Sequence, residues 1–340
     1  MQPTTFGVIL LVLAGVSNAS FSLPMKFTHK WSWENTWLVW TVFALVVLPV
    51  VTALATIPSL KLVYQQAGAR IVFEVAFFGA GWGVAQVLFG LAIDAIGIAL
   101  AFSIVLGLSA ALGSLIPLIW LHSDKILTAA GFTNMGGVIL VIAGVTVCAV
   151  AGRMRERLQT GPPTATSAKP FGRGLMLAII SGICAALMNF GVAFGGPLIS
   201  AASAAGARPQ WVINVIWLPL MVAGAVPNVV YCLLLLRRNE SSENFLKPAT
   251  GPHWILASTM ALFWFGSTLL YGIASTKLGE LGPVVGWPLF MSLIVITASL
   301  LGIVTGEWVN TGRKPLRVQM TGVSILVVAV VVLSRASLYV

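Results

Sequence analysis

The chain has 340 residues, 58% of them hydrophobic and only 8% charged, with a mean hydropathy of +0.98. A soluble domain carries roughly 25% charged residues, so this composition excludes one and points to an integral membrane protein. The formal net charge of +10 does not indicate a nucleic-acid partner, because the basic residues are spread over many short loops and form no single basic face.

Segments of about 20 apolar residues, enough to cross a bilayer, fall at 7–24, 35–57, 71–93, 97–121, 130–151, 173–198, 210–236, 252–273, 282–303 and 318–339. They predict an all-α polytopic protein with ten transmembrane helices, five in each half. The first carries Asn18 among small residues in AGVSNAS and ends at Pro24. With no basic residue before Lys26, it is expected to be a retained helix and not a cleaved signal peptide. The following loop sets Trp31 and Trp33 beside Lys26 and Lys30, an arrangement typical of interfacial anchors. The third helix begins near Arg70 and Glu74, contains GAGWG at 79–83, and puts Gln86 one turn after Trp82 on the same face. Residues 152–172, basic at the start and then rich in Pro, Thr and Ser, form the expected cytoplasmic linker between a first repeat at 1–151 and a second at 173–340. In the second half, Asn189 lies in ALMNFGVAFGG, and LGELGPVVGWP at 278–288 gathers several helix breakers around Glu280 and Trp287. Interrupted helices of that kind mark binding sites in transporters.

The halves echo one another. Trp82 is followed by Phe89, Gly90, Ala92 and Gly97; 182 residues later, Trp264 is followed at the same spacing by Tyr271, Gly272, Ala274 and Gly279. Gly7 and Gly15 recur as Gly174 and Gly182, an offset of 167. Internal duplication of mostly apolar helices is the signature of a secondary transporter. Thirteen Lys and Arg fall in one set of loops, among them Lys26, Arg153, Arg155, Arg157, Arg237, Arg238 and Arg313, against six in the other. The positive-inside rule makes the richer side cytoplasmic and puts both termini outside.

A neutral polyol is bound by hydrogen bonds from amide and hydroxyl side chains, with its C–H face resting on aromatic rings. Asn18, Gln86, Asn189, Trp82, Trp264, Tyr271 and Trp287 supply that chemistry near helix middles or breaks. Each tryptophan also has a plain packing role open to it, and each asparagine serves equally well as interhelical glue. A coupling proton needs a carboxylate. Glu280 and Glu74 are the candidates, Glu280 through partial burial in the broken segment, while Glu74 has a surface pair with Arg70 as its simpler explanation. His29, His122 and His253 lie at separate helix ends, and Cys148, Cys184 and Cys232 lie in apolar runs, so no metal, cofactor or enzymatic centre is expected. Nor does the chain contain a phosphate-binding loop.

KWSWE at 30–34, GAGWG at 79–83, FGLAIDAIG at 89–97 and EWVNTGRKP at 307–315 resemble, in order and spacing, the L-rhamnose-proton symporter family of the drug/metabolite transporter superfamily. The resemblance implies two inverted five-helix repeats and uptake of a deoxysugar driven by a proton gradient across the bacterial inner membrane. The 266–288 region is less polar and aromatic than expected of a rhamnose carrier. Export or exchange of another small polar metabolite is therefore the alternative. A reporter fused after Arg157 should behave as cytoplasmic and one fused to the C-terminus as periplasmic; the reverse pattern would invert the topology.

Overall fold

A computed structural model describes residues 3–160, 171–309 and 311–336. Among these residues the chain is helical, with ten segments long and apolar enough to cross a membrane. They are α1 (Pro3–Ser20), α2 (Trp33–Thr56), α3 (Ala69–Ile96), α4 (Ile98–Leu121), α5 (Ala129–Thr160), α6 (Phe171–Ala204), α7 (Asn214–Arg238), α8 (Gly251–Lys277), α9 (Gly282–Val304) and α10 (Arg313–Ala336). Of the expected linker, the first residues continue α5 as far as Thr160, and 161–170 lie outside the described residues.

Two helices depart from simple geometry. In α2, Phe43–Val47 forms a π-helical turn immediately before Pro49, which cannot donate a backbone hydrogen bond. In α6, the path is cut into Phe171–Ala185, Leu187–Phe194 and Gly196–Ala204. This corrects the placement of the interruption. The segment at 278–288 makes a short turn through Leu281 and then runs as continuous helix from Gly282, because Pro283 occupies the first turn, where no N–H is needed. Asn189 sits in the middle piece of α6 and so inherits the interrupted geometry expected for Trp287.

The packing explains the sequence echoes. Helix α1 packs on α8 and α9 as α6 packs on α3 and α4. Helix α3 packs on α7 as α8 packs on α2, and α4 packs on α5 as α9 packs on α10. The pairs α2 with α7, α4 with α9 and α5 with α10 map onto themselves. Exchanging every helix with the one five places away therefore preserves these main contacts, though the α5–α9 contact has no counterpart between α10 and α4. The repeated glycines sit at equivalent crossings: a methyl on Gly7 would meet Leu278 at the end of α8 at 3.2 Å, and one on Gly174 would meet Ile96 at the end of α3 at 2.5 Å. A methyl on Gly15 would strike Leu293 of α9 at 2.6 Å, and one on Gly182 Leu108 of α4 at 2.8 Å. Gly97 and Gly279 close the two echoed segments with φ of +84° and +80°, a region that disfavours any side chain.

The tightest crossing joins the halves through α3 and α7. A methyl on Gly79 would land on the Leu220 carbonyl oxygen, and one on Gly83 on the Gly224 carbonyl oxygen. Because lipid is as apolar as leucine, close backbone approach of this sort is a main source of helix association in a bilayer. Outside the bundle, the short helix Leu60–Ala67 is tied to α7 by Tyr64, whose hydroxyl donates to the Val215 carbonyl at 2.9 Å, and burial pushes that phenol's pKa up. Gly83→Val should lower the stability of the purified protein by about 1–3 kcal/mol through overpacking. Gly90→Ala, where a methyl meets open space, should leave melting unchanged or slightly raised; equal losses in both variants would contradict this account of the crossing.

Candidate functional site

The glycine crossing leads directly into an aromatic ladder. Trp82 of α3 stacks on Trp264 of α8 with ring centroids 5.4 Å apart and planes at 28°. Trp40 of α2 meets the edge of Trp264 at 5.3 Å, and Trp37 and Trp33 continue the row at 4.4 and 5.0 Å. One amide ties this ladder to the crossing: the Trp37 indole donates to Asn228 Oδ1 at 3.1 Å, while Asn228 Nδ2 donates to the carbonyls of Gly83 and Gly224 at 3.2 and 3.0 Å. The duplicated tryptophans are thus in contact with each other across the two halves.

A second cluster lies farther along α8. Tyr271 donates its hydroxyl to Asn189 Oδ1, and Asn189 Nδ2 donates to the carbonyls of Gly113 in α4 at 2.7 Å and Pro283 in α9 at 2.9 Å. One buried amide therefore joins α4, α6, α8 and α9. The Tyr271 ring stacks on Phe290 at 5.1 Å and meets Trp287 at 5.4 Å. The Trp287 indole in turn donates to the Ser109 carbonyl at 3.0 Å and lies against Gly113, which leaves room for it. Asn18 is half-buried and donates to Ser267 at 2.9 Å, so the two asparagines are not equivalent. Gln86 is half-buried on α3, one turn beyond Trp82. Of the seven expected ligand residues, the structure brings Trp82 to Trp264, and Asn189 to Tyr271 and Trp287; Asn18 joins the first pair through Ser267, whose hydroxyl donates to the Trp264 carbonyl at 2.6 Å.

Polar atoms in this region are left over. The Trp40 indole N–H, the Thr41 hydroxyl and the Trp217 indole N–H are buried without a hydrogen-bond partner among the described residues. Trp40 packs on Trp264, and Trp217 packs on Tyr271 and Gly272, so both orphaned indoles belong to the same α8 face. Buried donors are normally satisfied, and each one that is not costs roughly 1–3 kcal/mol. Trp40 carries no sequence cue of this role, since its spacing within α2 matches a lipid-facing anchor as well as a central one.

The carboxylates are placed differently from expectation. Glu280 is exposed in the turn between α8 and α9, so the partial burial expected to tune it is absent; the turn leaves its side chain outside the helix packing. Glu74 accepts from Arg70 Nε at 2.7 Å at the start of α3, the surface pair that sequence spacing suggested. Glu34, in the first turn of α2, is only 3% exposed. It accepts from Ser241 and, at 3.0 Å, from Asn239. Around it Asn35 donates to the Ser241 carbonyl at 2.9 Å and Asn244 donates to Ser32 at 3.2 Å. The start of α2 and the α7–α8 connection thereby form a polar latch between the halves. Nothing within the KWSWE segment alone could reveal it, because every partner lies more than 200 positions away.

A family model described as L-rhamnose-proton symport protein matches residues 2–337. The chain belongs to the L-rhamnose-proton symporter family. It is 28% identical over 334 residues to an L-rhamnose-proton symporter of Shigella sonnei (strain Ss046), with 96% of both chains covered. Against the L-rhamnose-proton symporter of Escherichia coli (strain 55989 / EAEC), identity is 27% over the same coverage. Membership of a symporter family, with ten apolar helices, makes this a multi-pass membrane transport protein and not an enzyme. The motifs that carried the resemblance have physical roles here. KWSWE builds the latch, GAGWG forms the α3–α7 crossing, and Glu307 of EWVNTGRKP pairs with Arg155 at 2.9 Å and Lys26 at 3.4 Å.

Tyr271→Phe deletes the donor to Asn189 and should lower stability by roughly 1–3 kcal/mol, the cost of an unpaired buried acceptor. Combined with Asn189→Ala, the loss should be well short of additive; strict additivity in thermal unfolding would show that the two groups are not coupled.

Proposed function

We propose that this protein is a proton-coupled symporter that takes up L-rhamnose or a related deoxysugar across the bacterial inner membrane, using two inverted five-helix repeats of the drug/metabolite transporter type. The observation that carries this reading beyond family membership is the conjunction at the seam between the halves: a stacked tryptophan pair bordered by orphaned indole and hydroxyl donors. A deoxysugar presents hydroxyl oxygens to such donors and a C–H and methyl face to the rings. Trp82, Trp264, Tyr271, Trp287, Asn189, Asn18 and Gln86 are the proposed contact set, with Trp40 and Trp217 added as hydrogen-bond donors.

Counting supports the inversion. If every helix crosses once, successive helices alternate in direction, and a helix and the one five places later run oppositely; the exchange symmetry of the packing is then that of an inverted pair. For proton coupling, Glu280 is the proposed carrier. It lies three residues before Pro283, whose carbonyl holds the Asn189 amide, which puts it in the turn next to the Asn189–Tyr271 pair. Glu74, held by Arg70, is the second candidate.

In proteoliposomes with an inward proton gradient, labelled L-rhamnose should accumulate, and a protonophore should reduce it to equilibration. Trp82→Ala should abolish binding in folded protein, whereas Glu280→Gln should retain binding and lose gradient-driven accumulation. Normal accumulation by Glu280→Gln would remove Glu280 from coupling, and gradient-insensitive movement of the sugar in wild-type protein would contradict symport.

A further inference from the structure

Away from the tryptophan ladder, a cavity of about 200 Å³ opens among the first turns of α4, the last turns of α5 and α9, and the start of α10. We propose that it is a second solute subsite for a neutral polyhydroxy compound, at the end of the bundle where α5 and α9 finish. It rests on the transport reading above. A volume of this size holds about six or seven waters at their liquid volume, or one small polar solute.

Its chemistry is graded along the helices. Arg155, Glu307 and Trp308 stand at the mouth, Ser299 and Gln319 line the middle, and Leu106, Val145 and Ile294 form the inner end. The guanidinium of Arg155 bonds to Glu307 at 2.9 Å and lies 5.1 Å from the centre of the Trp308 ring. Glu307 is shared with Lys26 at 3.4 Å, and the pairing leaves the Arg155 Nε–H without a partner among the described residues, a donor for a hydroxyl oxygen. Gln319 donates to Ser299 at 2.7 Å, fixing an amide and a hydroxyl side by side on the wall. A polar mouth, an indole face and an apolar inner end match a sugar that carries hydroxyls on one part and a methyl group on another.

The opposite ends of the same four helices supply the contrast. There Trp287 fills the space at Gly113, Asn134 donates to Ser114 at 3.0 Å, and Leu333 covers Gly137. The packing symmetry relates the two ends, yet one is filled and the other open. The cavity is therefore a specific feature of one face and not a general looseness of the α4, α5, α9 and α10 group.

Cys148 lines the cavity and serves as a reporter. With Cys184 and Cys232 changed to Ser, a small methanethiosulfonate should label Cys148, and L-rhamnose at ten times its Kd should slow that labelling about tenfold by occupancy. An Ala298→Cys reporter in protein lacking the native cysteines should show the same protection from a second wall position. Gln319→Leu should remove the protection at either reporter. Uptake is measured on the same preparations. Normal rhamnose uptake with unprotected reporters would overturn the subsite and leave the transport reading standing. Absent uptake with reporters still protected by L-rhamnose or another neutral polyol would overturn the transport reading and support the subsite. Protection by acyl chains or detergent but by no polyol would also overturn it.

Discussion

The structure depends most on the backbone crossing of α3 and α7, where Gly79 and Gly83 meet the carbonyls of Leu220 and Gly224 with no room for a methyl group. In a bilayer the hydrophobic effect does not press helices together, so contact at backbone distance, backed by hydrogen bonds between helices, supplies much of the association. Everything central follows from that closeness. It brings Trp82 within stacking distance of Trp264 and lets one asparagine, Asn228, bond to both backbones and to Trp37. A wider crossing would separate the halves and leave these amides and indoles in hydrocarbon, where each lost partner costs free energy.

Around this crossing the two halves meet at three levels: the polar latch of Glu34, Asn35, Ser241 and Asn244, the tryptophan ladder, and the Asn189–Tyr271 cluster. The levels differ in chemistry. The latch is built from polar side chains at the first turn of α2 and in the α7–α8 connection, whereas the ladder and cluster are built from indoles and amides within the helices. On the proposed reading of the site, transport is coupled to binding because the centre parts at low cost when a solute supplies the hydrogen bonds and ring contacts that the halves otherwise give each other.

Much of this was legible in the sequence because membrane spans are long apolar runs, and because the repeated glycines and tryptophans must recur wherever the same crossing recurs. Gly7 with Gly174, Gly15 with Gly182 and Gly97 with Gly279 all proved to occupy matched positions. What was not legible depended on partners far away in the chain. The burial of Glu34 is decided by Asn239 and Ser241, and the exposure of Glu280 by a turn that folds cleanly despite its glycines and prolines. The break in α6 was hard to read because its residues, ALMNFGVAFGG, are as apolar as an unbroken helix, with only glycines and the following Pro197 as a warning.

The central claim is that the halves must part at this seam for solute to cross. Ser32 and Asn244 face each other across the latch at 3.2 Å, so Ser32→Cys with Asn244→Cys, in protein lacking Cys148, Cys184 and Cys232, places a reversible bond between the halves. The decisive measurement is L-rhamnose uptake by this variant before oxidation, after it, and after reduction. The account predicts uptake that stops on oxidation and returns with reductant. Full uptake by quantitatively cross-linked protein would contradict it.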